Sequence, residues 1–397
     1  MSNSALDAAR REPHAFLTLA FRPFFLLGAL WAALSIVLWV GSFVSGKPLP
    51  SAFDPLSWHI HSMLFGFVLA AIAGFLLTAM PNWTGRRPVR GAPLAGLAAL
   101  WLIGRAAAVT SGLMPLALAA GLDVAFPATL CVVAAREIVV SRNWRNAAIP
   151  VPVAALGAGD LLMYLERAGI GVPAGLGWRL GLAAAIALIS VVGGRIVPAF
   201  TRNWLAKRGR APLPAAAGPV DRVALGVLHA GLVAWVAAPP KWPVGVLLLL
   251  AAALNLWRLA RWCGLSTLRE PLLFILHVGY AWVVVGTALL GASLVTIAVP
   301  LPAGIHALTA GAIGTMVLAV MTRVSLGHTG RPLTADGFTT LIYALVILAG
   351  VVRIGAALSP GSYLQLVELS AALWAASFAG FVARYGPMLV APRADAR

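Results

Sequence analysis

Charged side chains are scarce in this sequence. Only 10% of its 397 residues are Asp, Glu, Lys or Arg, whereas 61% are hydrophobic. A soluble domain usually carries about 25% charged residues, because its surface must face water. The shortage therefore excludes an ordinary soluble globule and predicts a protein whose outer surface faces the apolar interior of a membrane.

Cysteine and acidic residues are also rare. The 2 cysteines are too few for a disulfide framework, and the chain has no CxxC pair of the kind that holds zinc. The 12 Asp and Glu residues argue against a carboxylate-driven ion antiporter, and the 29 Lys and Arg residues bring the net charge to +17. In a soluble protein this charge would indicate nucleic acid as a partner. Here the basic residues stand between apolar runs, so we expect contacts with lipid headgroups and no nucleic-acid partner.

Long apolar runs are what the sequence has in abundance. Residues 64–80 and 301–322 contain no Asp, Glu, Lys or Arg. About 20 such residues cross the hydrocarbon layer, and they do so as helices because lipid offers the backbone no hydrogen-bond partner. We therefore predict an all-α fold, a polytopic transmembrane helix bundle of about twelve spans. The predicted spans are 24–45, 57–80, 93–111, 115–139, 147–167, 177–199, 221–238, 243–259, 271–291, 301–322, 338–357 and 362–385.

The basic residues alternate between the loops. Clusters of Arg and Lys precede the first span and follow spans two, four, six, eight and ten, whereas the other loops contain few. Positive loops face the cytoplasm, so both termini are predicted to be cytoplasmic. We expect a single integral membrane domain over residues 1–397. Its basic, Pro- and Gly-rich loop is a candidate hinge between two six-span halves, 22–201 and 220–390.

Two histidines begin span two. His59 and His61 are two residues apart, so on a regular helix they point about 200° away from each other. They would then serve two different sites, as suits a helix that lies between a haem and a second metal. Only an irregular first turn would let both bind one metal. The alternative is a pair of interfacial histidines bonded to water and headgroups.

Further histidines lie in spans seven, nine and ten. His306 begins span ten at the same non-cytoplasmic edge as His59 and His61, so the three imidazoles could share an outer site. His277 lies about 9 Å inside span nine. Ionisable groups within spans are functional candidates, and neutral histidine commonly binds haem iron or copper. For His229 we prefer a simple hydrogen bond to a neighbouring helix.

Four arginines also occur in or at the edge of apolar runs: Arg22, Arg105, Arg195 and Arg353. A buried guanidinium needs a carboxylate or phosphate partner. Haem propionates would serve, as would Asp160 or Glu368 inside the spans. We predict Arg195 and Arg353 to be propionate partners, and we expect Arg22 to extend to the headgroups.

Several stretches of the chain resemble the NnrS family of bacterial integral membrane proteins. Together they extend over nearly the whole sequence. These stretches are residues 21–26, 58–66, 74–85, 194–203, 277–282, 306–309 and 327–331.

The resemblance implies a haem- and copper-containing protein of the bacterial cytoplasmic membrane, associated with denitrification and resistance to nitric oxide. It implies that His59, His61, His277 and His306 bind the metals, that the haem is of b type, and that nitric oxide or a related small molecule is the ligand. An unidentified electron donor would be a further partner. Two alternatives stay open: a twelve-span secondary transporter, and a metal-free accessory protein of a respiratory complex.

The chain departs from the family pattern at one position. The family usually has His-x-His-Glu at the start of span two, whereas here the fourth residue is Ser62. A carboxylate at that position could orient a histidine or carry protons. A mechanism that needs this acid therefore does not transfer to this chain, and whether nitric oxide is reduced or only bound stays open.

Overall fold

The structure is a computed structural model that describes residues 15–144 and 150–394. Over these ranges it contains no β-strand and twelve long helices. The helices are α1 Phe21–Ser45, α2 Pro55–Thr84, α3 Ala92–Val109, α4 Leu116–Ser141, α5 Pro150–Arg167, α6 Leu176–Ala206, α7 Pro219–Ala237, α8 Trp242–Ala260, α9 Pro271–Ser293, α10 Leu301–His328, α11 Gly337–Leu358 and α12 Tyr363–Val390. Short 3₁₀ turns occur between some of them.

These helices confirm the predicted all-α, polytopic bundle. Of the twelve in the described part, eleven are long and apolar enough to cross a membrane. The exception is α5, which carries Asp160, Glu166 and Arg167 within 18 residues. With α5 counted as a span, the number of crossings is even, which puts both ends of the bundle on one side. The cytoplasmic assignment of that side and the division into halves stay predictions, and Arg10 and Arg11 lie outside the described residues.

Proline and acidic residues define where several helices begin. Pro55 occupies the first turn of α2, where its missing N–H costs no hydrogen bond. The Asp54 carboxylate caps the same turn and accepts hydrogen bonds from the amides of Leu56 and Ser57 at 3.0 and 3.1 Å. This cap determines where α2 starts, and with it the position of the histidines one turn later.

The helices α2 and α10 form the centre of the bundle. The most apolar windows of these helices are 83% and 67% buried, respectively, the highest shares among the spans. Each contains a π-helical segment, Ser62–Val68 in α2 and Ala307–Ile313 in α10. Such segments are frequent at functional sites. Both follow directly on a histidine, His61 or His306, so the irregular turns occur where the candidate ligands lie.

The first and last helices are in direct contact. Arg22 is buried and donates hydrogen bonds to the carbonyl oxygens of Leu389 and Ala391, at 2.8 and 2.6 Å. It thereby satisfies carbonyls that the end of α12 leaves without intrahelical partners. The prediction that Arg22 extends to the headgroups is wrong, because a helix end inside the protein is its partner.

Candidate functional site

A cavity of about 300 Å³ lies between the helices α1, α2, α6, α10, α11 and α12, at the end where α2 and α10 begin. Three of the predicted site residues, His59, His306 and Arg353, line it together. Most of the remaining wall is apolar and includes Trp39, Trp178 and Trp374. An apolar cavity with a few convergent polar groups is the usual form of a cofactor or ligand site.

His59 lies on the first turns of α2 and faces this cavity. Its ring stacks on Trp39, with centroids 4.1 Å apart and planes inclined by 24°. The Nδ1 atom of His59 is buried and has no hydrogen-bond partner among the described residues. A buried nitrogen without a partner costs free energy, and a bound ligand would remove this cost.

Arg353 reaches the cavity from α11. Its side chain is buried, and within residues 15–144 and 150–394 no carboxylate lies at ion-pair distance. Its Nη1 atom has no hydrogen-bond partner, and its Cζ atom lies 5.7 Å from the centroid of the Tyr363 ring. A buried guanidinium without an anion is strongly unfavourable. The cavity is thus suited to a ligand that brings a negative charge.

His306 adds a second imidazole to the lining from α10, where the π-helical segment begins. The cavity therefore offers two imidazoles, a guanidinium without an anion and apolar walls. This set fits a haem: histidine binds haem iron, the apolar walls suit the ring, and the guanidinium suits a propionate. The unpaired buried atoms of His59 and Arg353 are the structural observation behind this fit.

His61 lies on the other side of α2, in a separate cluster of buried polar side chains. Its Nε2 atom is 2.8 Å from Oδ1 of Asp160 on α5 and 3.1 Å from Oδ2 of Asp123 on α4. All three side chains are 0% exposed. One donor atom from each of them lies within 4.8 Å of the other two, so this group could hold a metal ion. We call these three residues the His61 cluster.

Two neighbours hold Asp123 in place. Arg105 on α3 donates to its Oδ1 atom in an ion pair, and the Tyr164 hydroxyl donates to its Oδ2 atom at 2.9 Å. A Cβ atom at Gly104 would lie 2.7 Å from Asp123 Oδ1. Only glycine therefore lets α3 approach this carboxylate so closely.

The structure thus separates residues that the sequence grouped at one outer site. The turns that carry His59 and His61 are regularly α-helical, so the two rings point to opposite sides, as one of the two predicted alternatives had it. His306 lies with His59 in the cavity, whereas His61 does not line it. Asp123 was not predicted to be the partner of Arg105. Its signal was present, because Asp123 interrupts an apolar span as Asp160 does.

The other predicted residues lie apart from both sites. His277 is buried on α9, where its Nε2 atom is 2.8 Å from Thr201 Oγ1. Arg195 is exposed on α6 and does not line the cavity. His229 Nε2 lies 2.9 Å from Ser190 Oγ, which is the simple hydrogen bond expected for it.

A buried polar network on α7, α8 and α9 has a different character. Arg258 donates to Asp221 Oδ1 at 3.0 Å and to the Tyr280 hydroxyl at 2.6 Å. The Tyr280 hydroxyl in turn donates to Asn255 Oδ1 at 2.7 Å. The polar groups of these side chains are hydrogen-bonded to one another, so we assign the network a structural role. It therefore serves as a comparison for the His61 cluster.

The helices and the two imidazole sites define a multi-pass membrane protein with candidate cofactor positions inside its bundle. The family model described as NnrS protein matches residues 15–393. The chain belongs to the NnrS family, which confirms the resemblance seen in the sequence. Membership connects it with metal binding and with nitric-oxide-related functions at the level of the family. No curated protein matches the chain.

Proposed function

We propose that this protein is a haem- and copper-containing protein of the bacterial cytoplasmic membrane that binds nitric oxide in nitric oxide metabolism or in resistance to nitrosative stress. The observation that carries the proposal is the cavity between α2, α10 and α11. There two imidazoles and a buried Arg353 without an anion converge within apolar walls. Family membership supports the same class of function.

In this proposal His59 and His306 are the candidate ligands of the haem iron, and Arg353 pairs with a propionate. When bound and reduced, the haem would supply an iron atom with affinity for nitric oxide. Trp39, Trp178 and the other apolar side chains of the wall offer water few hydrogen-bond partners in the cavity. Nitric oxide is small and apolar, so it can reach such a cavity from the lipid.

Copper is the second cofactor of the proposal. Histidine is a common copper ligand. Of the predicted ligands, His61 and His277 lie outside the cavity and are the candidates for this role.

Binding is better supported than reduction. Reduction of nitric oxide consumes electrons and protons together, and a carboxylate near the haem would be the usual proton carrier. In the part of the chain that the structure describes, no Asp or Glu lines the cavity. We therefore place binding and detoxification ahead of nitric oxide reductase activity, for which an electron donor would also be needed.

The test is a spectrum of the purified protein before and after nitric oxide is added under reducing conditions. We expect a Soret band that shifts when nitric oxide binds, and a Soret band at least tenfold weaker in the His306→Ala variant. The His229→Ala variant is a matched control, because this imidazole also lies in a span but does not line the cavity and forms a hydrogen bond with Ser190. A nitric oxide electrode with a chemical reductant present distinguishes binding from continuous consumption. A colourless wild-type protein would refute the proposal and favour a transporter.

A further inference from the structure

The His61 cluster has the geometry of a metal site. Its nitrogen and two oxygen donors come from three different helices, and the two distances from His61 Nε2 are 2.8 and 3.1 Å. Three donors on one face of an octahedron, each about 2.1 Å from a central ion, lie about 3.0 Å apart. The two distances from His61 Nε2 agree with this arrangement, and the two carboxylate oxygens lie within 4.8 Å of each other.

The charges of the cluster also favour a bound cation. Asp123 and Asp160 are both fully buried, and Arg105 forms an ion pair with Asp123 alone. With a neutral His61, one negative charge has no counterpart in an interior where unpaired charges are costly. A proton on His61 Nε2 can be donated to only one of the two facing oxygens. An ion would contact both.

One further oxygen of these three residues is buried without a hydrogen-bond partner. Asp160 Oδ2 is buried and accepts no hydrogen bond from any described residue. Buried carboxylate oxygens are usually satisfied, so this oxygen is a free donor for an ion. Asp123 is oriented by Arg105 and Tyr164, as ligands in metal sites usually are by their outer neighbours.

From these observations we infer that His61, Asp123 and Asp160 bind one divalent transition-metal ion on the side of α2 opposite the cavity. The inference deepens the proposed function, on which it rests only for the expectation of a second metal. One imidazole and two carboxylates suit ions such as Cu²⁺, Zn²⁺, Mn²⁺ or Fe²⁺, whereas Cu⁺ prefers sulfur ligands. Of these four ions, Cu²⁺ should bind most tightly.

The experiment measures uptake of Cu²⁺ by the full-length protein after treatment with a chelator. We expect the wild type to bind about one equivalent with saturation, and the Asp160→Asn variant to bind at least tenfold more weakly. The matched control is Asp221→Asn, which also removes a carboxylate from a buried ion pair, that with Arg258. It should bind Cu²⁺ like the wild type.

Haem content, measured in the same samples, separates this inference from the proposed function. The His306→Ala variant should lose haem and keep the Cu²⁺ site. Loss of Cu²⁺ binding in His306→Ala, together with normal Cu²⁺ binding in Asp160→Asn, would overturn the inference. It would not refute the proposed haem site. A wild type that binds haem but no Cu²⁺ would also overturn it, and would show that the cluster holds only a proton.

A second experiment uses only the wild-type protein, so it does not depend on whether a variant folds. Pulsed electron paramagnetic resonance of the Cu²⁺-loaded wild type should detect a single histidine ligand, since His61 is the only imidazole in the cluster as described. Signals from two or more imidazoles would place the ion elsewhere and overturn the inference.

Discussion

Replacement of Asp123 by Asn tests how strongly the buried ion pair with Arg105 stabilises the bundle. Asn keeps the shape of the side chain but removes the charge that faces a guanidinium whose side chain is only 3% exposed. Loss of one partner from a buried pair typically costs about 3–5 kcal/mol, because the other charge stays uncompensated. We expect about 3 kcal/mol, at the lower end, because Asp160 lies nearby and offsets part of the charge.

The assay is reversible unfolding by SDS in mixed micelles, followed through the fluorescence of the 14 tryptophans. Asp221→Asn provides the comparison. The Asp221 side chain is 12% exposed, and its partner Arg258 keeps hydrogen bonds to Tyr280 and to the Ser190 carbonyl. The loss of stability should therefore be less than half of that in Asp123→Asn.

A double variant isolates the pair itself. Arg105→Met removes the charge that Asp123→Asn leaves uncompensated, so the two changes together should destabilise less than Asp123→Asn alone. Additive effects, or a loss below about 1 kcal/mol in Asp123→Asn, would refute the view that this ion pair is buried and isolated from water.

Two further predictions concern packing and acid sensitivity. Gly304→Ala should destabilise the protein by about 1–3 kcal/mol, because the added Cβ would lie 2.5 Å from the Leu290 amide nitrogen. Gly96→Ala is the control and should not destabilise the protein, because a Cβ at that position meets nothing within 4 Å. Equal losses of stability for the two variants in the same SDS assay would contradict the prediction. Hydrogen bonds from Thr339 lower the pKa of Asp336, at the start of α11, from 3.8 to about 2. Its contribution to stability is therefore present above about pH 4 and is lost as the pH falls towards 2. Asp336→Asn should remove this contribution to the pH dependence of stability in unfolding curves measured between pH 5 and pH 2. An unchanged pH dependence in the variant would contradict the prediction.

The bundle was predictable from sequence because the bilayer imposes a simple rule on it. Each span needs a long apolar run, and the ends of these runs are marked by Pro, Gly and Arg. Even α5, whose Asp160 lowers its hydropathy, was recognised between two such boundaries. The common depth of His59 and His306 followed from the same topology, since both begin helices that start on one side.

The composition of each site was harder to predict, because it depends on which helices are neighbours and how each is rotated. Sequence periodicity places His59 and His61 on opposite faces of α2 but does not say that α10 lies on one side and α4 and α5 on the other. For this reason Asp123 was missed as the partner of Arg105. The π-helical segments after His61 and His306 likewise depend on packing that no local pattern in the chain reveals.

His59, His306 and Arg353 line the proposed haem site. The most direct test is the ratio of haem to protein in purified wild type and in His306→Ala, with His229→Ala as the control. We predict about one haem per chain in the wild type and the control, and at least a tenfold lower ratio in His306→Ala. A wild type without haem, or a His306→Ala variant with as much haem as the wild type, would contradict the assignment of this cavity as a haem site.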